Sequence, residues 1–224
     1  MHRDPRVFQD RVDAGRQLAA RLTHYGDRGD VIVLALPRGG LPVGFEVAQA
    51  LHAPLDVMIV RKLGTPGQPE LAMGAIASGG VRVVNDEVIR ELGISQEQLD
   101  EVAAEEQLEV ERRERLYRAG RPPLEIAGRT AILVDDGIAT GSTMRAAIQA
   151  LRAQKPARLV VAAPTAAPAT CEQIRKQVDE LVCLTTPDPF VAIGFFYRDF
   201  PQLSDDAVRE ILHKATVQPS SASS

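Results

Sequence analysis

Cysteine, aromatic residues and long apolar runs are all scarce in this sequence. Two of the 224 residues are cysteines, and aromatic residues make up 4% of the chain. Cys171 and Cys183 do not have a metal-binding spacing, and no secretory signal precedes them, which favours reduced, buried thiols. No apolar run approaches the roughly 20 residues that a membrane-spanning helix needs. We therefore expect a cytoplasmic protein without a membrane partner.

A basic excess is also missing. The formal net charge is -4 and the pI is about 5.6, which argues against general nucleic-acid binding. The hydrophobic fraction of 45% is enough to form a core in a chain of this length. We expect one domain over residues 1–216, a disordered tail over residues 217–224, and a small-molecule partner.

The most informative stretch is residues 131–143. It opens with a continuous apolar run, residues 131–134, typical of a strand covered on both faces, and helical spacing resumes at Met144. Between them, Gly137 and Gly141 allow close backbone approach or positive φ. Hydroxyls and a helix N-cap that favour an anion come from Thr140, Ser142 and Thr143. The pattern predicts a phosphate-binding turn.

An acidic pair, Asp135 and Asp136, lies directly beside this turn. Two carboxylates would repel a phosphate unless they accept hydrogen bonds from hydroxyls or help to hold a metal ion. A phosphorylated sugar supplies both partners. The stretch lacks the Gly-Lys-Ser/Thr ending of a P-loop and the glycine spacing of a dinucleotide fingerprint. The alternative is an ordinary strand-to-helix turn with an acidic edge.

A second glycine-rich turn, residues 37–40, follows the apolar run of residues 31–36. Gly39 and Gly40 let successive N–H groups point inward as an anion nest, and Arg38 adds a positive charge with a fork suited to phosphate oxygens. This predicts a second phosphate site, although the same tripeptide also occurs in purely structural turns.

The other periodic segments predict alternating strands and helices. Predicted strands cover residues 55–60, 81–84, 158–163 and 181–184, and predicted helices cover residues 4–25, 87–92, 95–118, 168–178 and 204–214. The long helix 95–118 opens with the capping-box pattern of Ser95 and Gln98. We expect it to lie on the surface, with Leu108 among its few apolar residues available for burial. Such alternation implies an α/β fold with a twisted, mainly parallel sheet flanked by helices.

Two further segments suggest ligand contacts. Arg61 and Lys62 follow the predicted strand 55–60. Because open α/β sheets bind ligands at the carboxyl ends of their strands, these two cations are predicted to contact the ligand. The alternative is a solvated charge pair at the end of the strand. Residues 187–200 hold most of the aromatic residues, either as a small hydrophobic plug or as a stacking platform.

Residues 131–143 resemble the 5-phosphoribosyl-1-pyrophosphate (PRPP) motif of the type I phosphoribosyltransferases. The resemblance implies that Asp135 and Asp136 grip the ribose hydroxyls and reach Mg²⁺ indirectly, through ribose or water. It also implies that the 5′-phosphate is held by a loop of Ala139, Thr140, Gly141, Ser142 and Thr143.

The turn of residues 37–40 resembles the pyrophosphate loop of the same family, close to the Arg-Gly-Gly form of bacterial xanthine-guanine enzymes. This implies a cis peptide near Pro37-Arg38. It also implies pyrophosphate contacts from Arg38, Gly39, Gly40, Arg61 and Lys62. Arg38 and Lys62 would then share the catalytic work with the acidic pair.

The aromatic segment resembles the purine-binding segment of hypoxanthine-guanine phosphoribosyltransferases. Phe190 would stack on the base, Val191 would make a backbone contact, and Asp199 would lie near the exocyclic edge. Ala139 departs from that pattern, because 6-oxopurine enzymes carry an aspartate there, whereas adenine enzymes have Ala-Thr-Gly. The acceptor base therefore stays open.

Together these resemblances imply a Mg²⁺-dependent homodimeric enzyme of nucleotide salvage that transfers the phosphoribosyl group of PRPP to a nitrogen base. They also imply a helical lid at about residues 64–120, with a mobile flap at residues 64–80, and an aromatic hood at about residues 185–214. Glu70 is a candidate general base. The alternatives are a non-catalytic PRPP-binding regulator on the same fold, and a pyrophosphorylase or PRPP hydrolase.

Overall fold

The apolar runs of the sequence form the strands of a central parallel sheet in the computed structural model, which describes residues 8–217 except for the side chains of Pro69, Glu70 and Val217. The described strands are β1 (Val31–Ala35), β2 (Leu55–Val57), β3 (Val60–Thr65), β4 (Gln68–Ala77), β5 (Val81–Val84), β6 (Thr130–Val134), β7 (Arg158–Thr165) and β8 (Glu180–Thr185). The described α-helices are α1 (Arg11–Ala19), α2 (Gly40–Leu51), α3 (Asp86–Glu91), α4 (Gln96–Arg118), α5 (Ser142–Ala153), α6 (Pro168–Arg175) and α7 (Asp205–Val217).

The central sheet has the strand order β2-β1-β6-β7-β8, and all its pairs are parallel. Every residue of β1 and β6 is buried, as their continuous apolar runs predict. Alternate side chains enter two cores. Val33 and Ile132 pack in the core that contains α1 and α2 residues, and Leu34 and Leu133 pack in the core that contains α5 and α6 residues. The predicted mainly parallel, helix-flanked sheet is confirmed.

A second sheet was only partly predicted. β3, β4 and β5 form a three-stranded antiparallel sheet, of which the sequence predicted only the last strand. The predicted strand 55–60 is correct only for residues 55–57, because the chain leaves the central sheet after β2 and enters β3. Met58 and Ile59 are buried between the two strands, so the apolar run looks continuous. Arg61 and Lys62 therefore lie inside β3 and not at a carboxyl end of the parallel sheet.

The predicted flap, residues 64–80, is largely a β-hairpin. Gly67 has φ +78° in the turn between β3 and β4, which favours glycine. The predicted lid thus contains strands as well as helices. Glu70 lies in β4, and its side chain is outside the described part of the structure.

The long helix α4 begins with the predicted capping box: Gln98 N–H donates to Ser95 Oγ, and Ser95 N–H donates to Gln98 Oε1. The C-terminal end of α4 is buried, which differs from the prediction that the whole helix lies on the surface. Arg118 is buried and forms an ion pair with Asp56 in β2, with Nε 3.1 Å from Oδ2. Conversely, Leu108, predicted as available for burial, is exposed. α4 is therefore anchored to the central sheet through its last turn.

The first helix is shorter than predicted. α1 begins after Asp10, whose side chain accepts a hydrogen bond from Asp13 N–H, whereas the predicted start at Asp4 lies outside the described residues. Phe8 is extended and forms a bridge to Tyr197. The predicted tail falls mostly outside the described residues, and α7 continues to Val217. None of the described helices is both long and apolar enough to cross a bilayer.

Candidate functional site

The two glycine-rich turns lie side by side. One follows β1 and the other follows β6, and because these strands are parallel neighbours, both turns lie at the carboxyl edge of the sheet. The strand ends are joined by a hydrogen bond of 2.9 Å from Leu36 N–H to Val134 O. The Pro37–Arg38 peptide is cis, which confirms that prediction.

The turn of residues 37–40 packs directly against the acidic pair. A Cβ atom on Gly39 would lie 2.1 Å from Asp136 Oδ2. A Cβ atom on Gly40 would lie 2.7 Å from Val134 O and 2.9 Å from the Cα atom of Asp135. Real Cβ contacts are essentially never this short, so both positions require glycine. The predicted glycine turn and the predicted acidic pair therefore form one site, but the nest differs from the prediction, because Gly40 N–H donates to Leu36 O at 3.0 Å.

Arg11, a residue that the sequence did not single out, holds Asp136. Arg11 Nε donates to Asp136 Oδ2 at 2.8 Å, and each side chain is only 10% exposed. Its Nη1 donates to Pro201 O at 2.8 Å, and its guanidinium lies 3.7 Å from the centroid of the Phe200 ring. Arg11 thus ties α1 and the aromatic hood to the acidic pair. The local sequence pattern of a helix start carries no signal for such a distant partner.

Burial makes two adjacent negative charges unfavourable in this site. Burial, and then the charge of Asp136, raises the pKa of Asp135 well above its ordinary value. Burial also raises the pKa of Asp136, although Arg11 opposes that shift by hydrogen bonding and by its charge. A cation or a set of hydroxyl donors next to this pair would favour its ionised form.

The phosphate loop, residues 139–143, leads into α5. Gly141 is the N-cap of α5 with φ +73°, and the described structure shows no side-chain cap bond there. The hydroxyls of Thr140 and Ser142 lie 3.3 Å apart. The first turn of α5 therefore presents backbone N–H groups and two hydroxyls together, which is the arrangement that binds an anion at a helix N-terminus.

The aromatic hood reaches the same edge of the sheet. Tyr197 is buried, and its hydroxyl donates to the backbone oxygen of Asp136 at 2.6 Å. A Cβ atom on Gly137 would lie 2.6 Å from Ile193 Cγ2, so the hood lies against the acidic loop. Phe190 is half-buried with its ring centroid 5.3 Å from that of Phe196. The buried rings form the plug, and the half-buried Phe190 packs against it.

The other predicted hood residues lie at the surface. Val191 is 65% exposed. Asp199 is exposed, and its backbone N–H donates to Gln9 O at 2.9 Å. Neither position contradicts a role at the rim of a binding site, and both roles stay predictions.

The predicted basic residues have different surroundings. Arg38 is 40% exposed, with Nη1 3.8 Å from Asp205 Oδ1 at the start of α7. Arg61 forms an ion pair with Glu106 on α4 through distances of 2.6 and 3.2 Å. Lys62, the next residue of β3, is half-buried. The structure thus directs Arg61 to α4, while Arg38 extends from the glycine turn itself.

A magnesium ion would find few protein ligands here. Within residues 8–217, apart from undescribed side chains, no group of three or more His, Cys, Asp or Glu residues could hold a metal ion. Mg²⁺ commonly uses one or two carboxylates together with ligand oxygens and water. Asp135 and Asp136 fit that pattern, because a nearby cation would favour the ionised forms of these carboxyls, which burial disfavours by raising their pKa values.

We expect Arg11→Met to destabilise the protein at neutral pH by roughly 1–3 kcal/mol, because it leaves the buried Asp136 carboxylate without its counter-charge. The pKa of Asp136 in the folded protein is already raised, and removing Arg11 raises it further. The loss of unfolding free energy should shrink as pH falls below about 4, because the carboxyl is then protonated in both the folded and the unfolded protein. Urea denaturation at pH 7.5 and pH 4 measures this. Arg11→Lys, which keeps the charge, is the control and should lose less. Equal stability of Arg11→Met and the unmodified protein at pH 7.5 would contradict the role of this ion pair.

Comparisons with known proteins agree with this architecture. The family model described as the phosphoribosyl transferase domain matches residues 8–199. A Mycobacterium tuberculosis (strain ATCC 25618 / H37Rv) protein named as a phosphoribosyl transferase is 49% identical over 210 residues, which are 94% of this chain and 47% of that protein. The chain therefore spans about half the length of this curated relative.

Two solved structures have the same fold. The crystal structure of TT1426 from Thermus thermophilus is 41% identical with a TM-score of 0.85, over 92% of this chain and 98% of that chain. A hypothetical protein from Neisseria gonorrhoeae with bound ppGpp is 12% identical with a TM-score of 0.50, over 96% of this chain and 99% of that chain, which shows the fold alone. The matched family residues include both glycine-rich turns, the acidic pair and Arg11.

Proposed function

The chain belongs to the phosphoribosyl transferase domain family, and from that premise we propose that it transfers the 5-phosphoribosyl group of PRPP to a nitrogen base with release of pyrophosphate. The observation that carries the proposal is the contact between Gly39 and the acidic pair, where a Cβ atom would lie 2.1 Å from Asp136 Oδ2. A glycine turn beside two carboxylates suits a ligand that has both a diphosphate and a diol, and PRPP has both.

Asp135 and Asp136 bind the ribose hydroxyls in this proposal. The hydroxyls donate to the carboxylates and so stabilise their ionised forms, which burial alone disfavours. As the bond to pyrophosphate breaks, positive charge grows on the ribose ring. The two carboxylates are fixed close to that charge before the reaction starts, and such preorganised groups stabilise a transition state effectively.

The two phosphoryl ends of PRPP bind in separate places. The 5′-phosphate accepts hydrogen bonds from the start of α5 and from Thr140, Ser142 and Thr143. The pyrophosphate lies on the N–H group of Gly39, because the N–H of Gly40 already donates to Leu36 O at 3.0 Å, and Arg38 and Lys62 are its cationic partners. Asp135 and Asp136 would hold Mg²⁺ indirectly, through ribose or water, and the ion would supply neutralisation of charge on the leaving pyrophosphate. Binding at both ends fixes the position of the reacting carbon.

The acceptor base lies against the aromatic hood. Phe190 is half-buried beside the segment that packs on Gly137, so a planar base stacked there would be close to the ribose carbon. Ala139 offers no carboxylate to a ring nitrogen. The proposal therefore names a nitrogen base and leaves its identity to the experiment.

The test is incubation of the protein with PRPP, Mg²⁺ and a mixture of nucleobases, followed by mass detection of nucleotides and assay of pyrophosphate. We expect one or more nucleotides and an equal amount of pyrophosphate, formed only when a base is present. A chelator of Mg²⁺ should suppress both products.

Two outcomes would overturn the proposal. PRPP binding without turnover for any base would indicate a regulatory protein, and base-independent loss of pyrophosphate would indicate a PRPP hydrolase. Both are read in the same assay, with PRPP binding measured separately by calorimetry.

A further inference from the structure

The two cysteines of the sequence meet in the fold. Cys171 lies in α6 and Cys183 lies in β8, and their Sγ atoms are 3.7 Å apart. Cys171 is buried and Cys183 is half-buried. A disulfide bond is about 2.05 Å long, so the two sulfurs would have to approach by roughly 1.7 Å. They are placed for bond formation with a small movement of α6 towards β8.

One of these thiols is also activated. A hydrogen bond from Cys183 lowers the pKa of Cys171 to about 7. The thiolate is the reactive form of cysteine, and at neutral pH a large share of Cys171 would be ionised. Hydrogen peroxide is small and uncharged, so it suits a thiolate with little exposed surface.

The first turn of α6 supports the phosphate loop. Ala167 N–H donates to Ile138 O at 2.9 Å, and Thr170 Oγ1 donates to Ala139 O at 2.7 Å. A Cβ atom on Gly141 would lie 2.5 Å from Thr170 Cγ2, so the loop and the helix are in tight contact. Thr170 directly precedes Cys171. A displacement of Cys171 therefore cannot leave the loop unchanged.

A second connection lies one turn further along α6. Arg145, in α5, donates from Nη1 to Thr140 O at 2.9 Å and to Gln173 Oε1 at 3.2 Å. The backbone of the phosphate loop is thus connected to α6 at three successive residues, Ile138, Ala139 and Thr140. Movement of α6 would act on all three connections at once.

We propose that Cys171 and Cys183 form a reversible disulfide that weakens ligand binding at the phosphate loop. The Cys171 thiolate attacks one oxygen of a hydroperoxide, which gives a sulfenic acid and releases the other oxygen as hydroxide or alkoxide. The Cys183 sulfur then attacks the Cys171 sulfur, the S–O bond breaks, and water leaves with the Cys183 proton. The two thiols lose two electrons, and the peroxide gains them. A dithiol reductant reverses the reaction.

The disulfide draws Cys171 towards β8 and moves Thr170 away from Ala139. The phosphate loop then loses the hydrogen bond that fixes its backbone, and its N–H groups are less well oriented for an anion. The change in loop order does not depend on the ligand. The loss of PRPP affinity rests on the proposed function.

The first experiment tests bond formation. The full chain is treated with hydrogen peroxide, and peptide mass spectrometry identifies the linkage. We expect a Cys171–Cys183 disulfide with loss of two hydrogens, reversed by dithiothreitol, and no such linkage in Cys171→Ser or Cys183→Ser. Oxidation to sulfinic acid without the linkage would overturn the proposal.

The second experiment tests the coupling by amide hydrogen exchange in residues 138–145. We expect faster exchange in the oxidised protein and no change on peroxide treatment of Cys183→Ser. Thr170→Val should reproduce the faster exchange in the reduced protein, whereas Thr170→Ser should not. Unchanged exchange in a fully oxidised sample would overturn the coupling.

The third measurement separates this proposal from the proposed function. Calorimetry should show PRPP affinity roughly fivefold weaker after oxidation, the equivalent of one lost hydrogen bond. Equal affinity in both states would overturn the effect on binding. Altered exchange without PRPP binding in either state would support the disulfide switch and overturn the proposed function.

Discussion

Asp135→Asn is expected to lower the rate of phosphoribosyl transfer at least about 100-fold and, at the same time, to stabilise the ligand-free protein. The rate falls because an amide cannot match the charge of a carboxylate beside the cationic ribose. Stability rises because the amide removes a half-buried charge whose ionisation opposes folding. The two effects have opposite signs, so the measurement separates a functional residue from a structural one.

The sign of the stability change follows from the pKa of Asp135. Burial and the neighbouring Asp136 raise this pKa in the folded protein above its unfolded value of about 3.9. Folding therefore favours the protonated carboxyl. As pH rises above the unfolded pKa, ionisation of Asp135 favours the unfolded state, so the free energy of unfolding falls. Asparagine does not ionise, so it removes that loss of stability at pH 7.5. In the unmodified protein Asp136 N–H donates to Asp135 Oδ1 at 2.8 Å, and the side-chain oxygen of asparagine can accept the same bond. A gain of about 1 kcal/mol would raise the midpoint of thermal unfolding by roughly 2–4 °C.

Asp136→Asn is the matched comparison. It should reduce turnover similarly, yet destabilise the protein by roughly 1–3 kcal/mol, since the buried Arg11 guanidinium loses its charged partner. Asp86→Asn, at an exposed aspartate in the first turn of α3, should change neither property. Turnover assays, with thermal unfolding at pH 7.5 and pH 4, measure all three variants. A less stable Asp135→Asn at pH 7.5 would contradict the role given to burial, and its advantage should disappear at pH 4.

The features that the sequence predicted correctly are those with local causes. β1 and β6 appear as continuous apolar runs because both faces of a central parallel strand are covered. The paired glycines at positions 39 and 40 are a local sequence signal of close backbone approach, although the atoms that they approach belong to the end of β6 and the loop after it. The capping box of Ser95 and Gln98 is likewise set within one helical turn.

The features that the sequence did not predict depend on distant partners. Arg11 and Asp136 are 125 positions apart, and Arg118 and Asp56 are 62 positions apart. Each of these arginines is in a helical segment where the ordinary expectation is a solvated charge. The break between β2 and β3 was not predicted for a related reason. Residues buried between two sheets have the same apolar pattern as residues within one strand.

Arg11 also explains how the site can be assembled before a ligand binds. It connects α1, the aromatic hood and the acidic pair through three contacts, with Asp136 Oδ2, Pro201 O and the Phe200 ring. Tyr197 adds a fourth connection between the hood and the backbone of Asp136. The carboxylates are therefore held by parts of the chain that come from both ends of the described residues. Such support limits reorganisation when the ribose binds.

Gly39→Ala should have the other large effect, a loss of phosphoribosyl transfer of at least about 100-fold. The new methyl carbon would lie 2.1 Å from Asp136 Oδ2 and 2.7 Å from its Cγ atom, so either the turn or the carboxylate must move by roughly 1 Å to restore an ordinary contact. Asp136 cannot move freely, because its carboxylate is paired with Arg11. The turn would therefore move away from the acidic pair, and the N–H group proposed for the pyrophosphate would no longer face the ribose site.

Gly29→Ala is the matched control, because the space around its Cβ position is open to 4 Å and its substitution tests only the general cost of replacing glycine. We expect it to retain full turnover. For Gly39→Ala, pyrophosphate affinity measured by calorimetry should fall together with turnover, while far-ultraviolet circular dichroism should show unchanged secondary structure. Turnover within a few-fold of the unmodified protein would mean that the glycine turn does not contact the reacting ligand. In that case the contact on which the proposed function depends would have only a structural purpose.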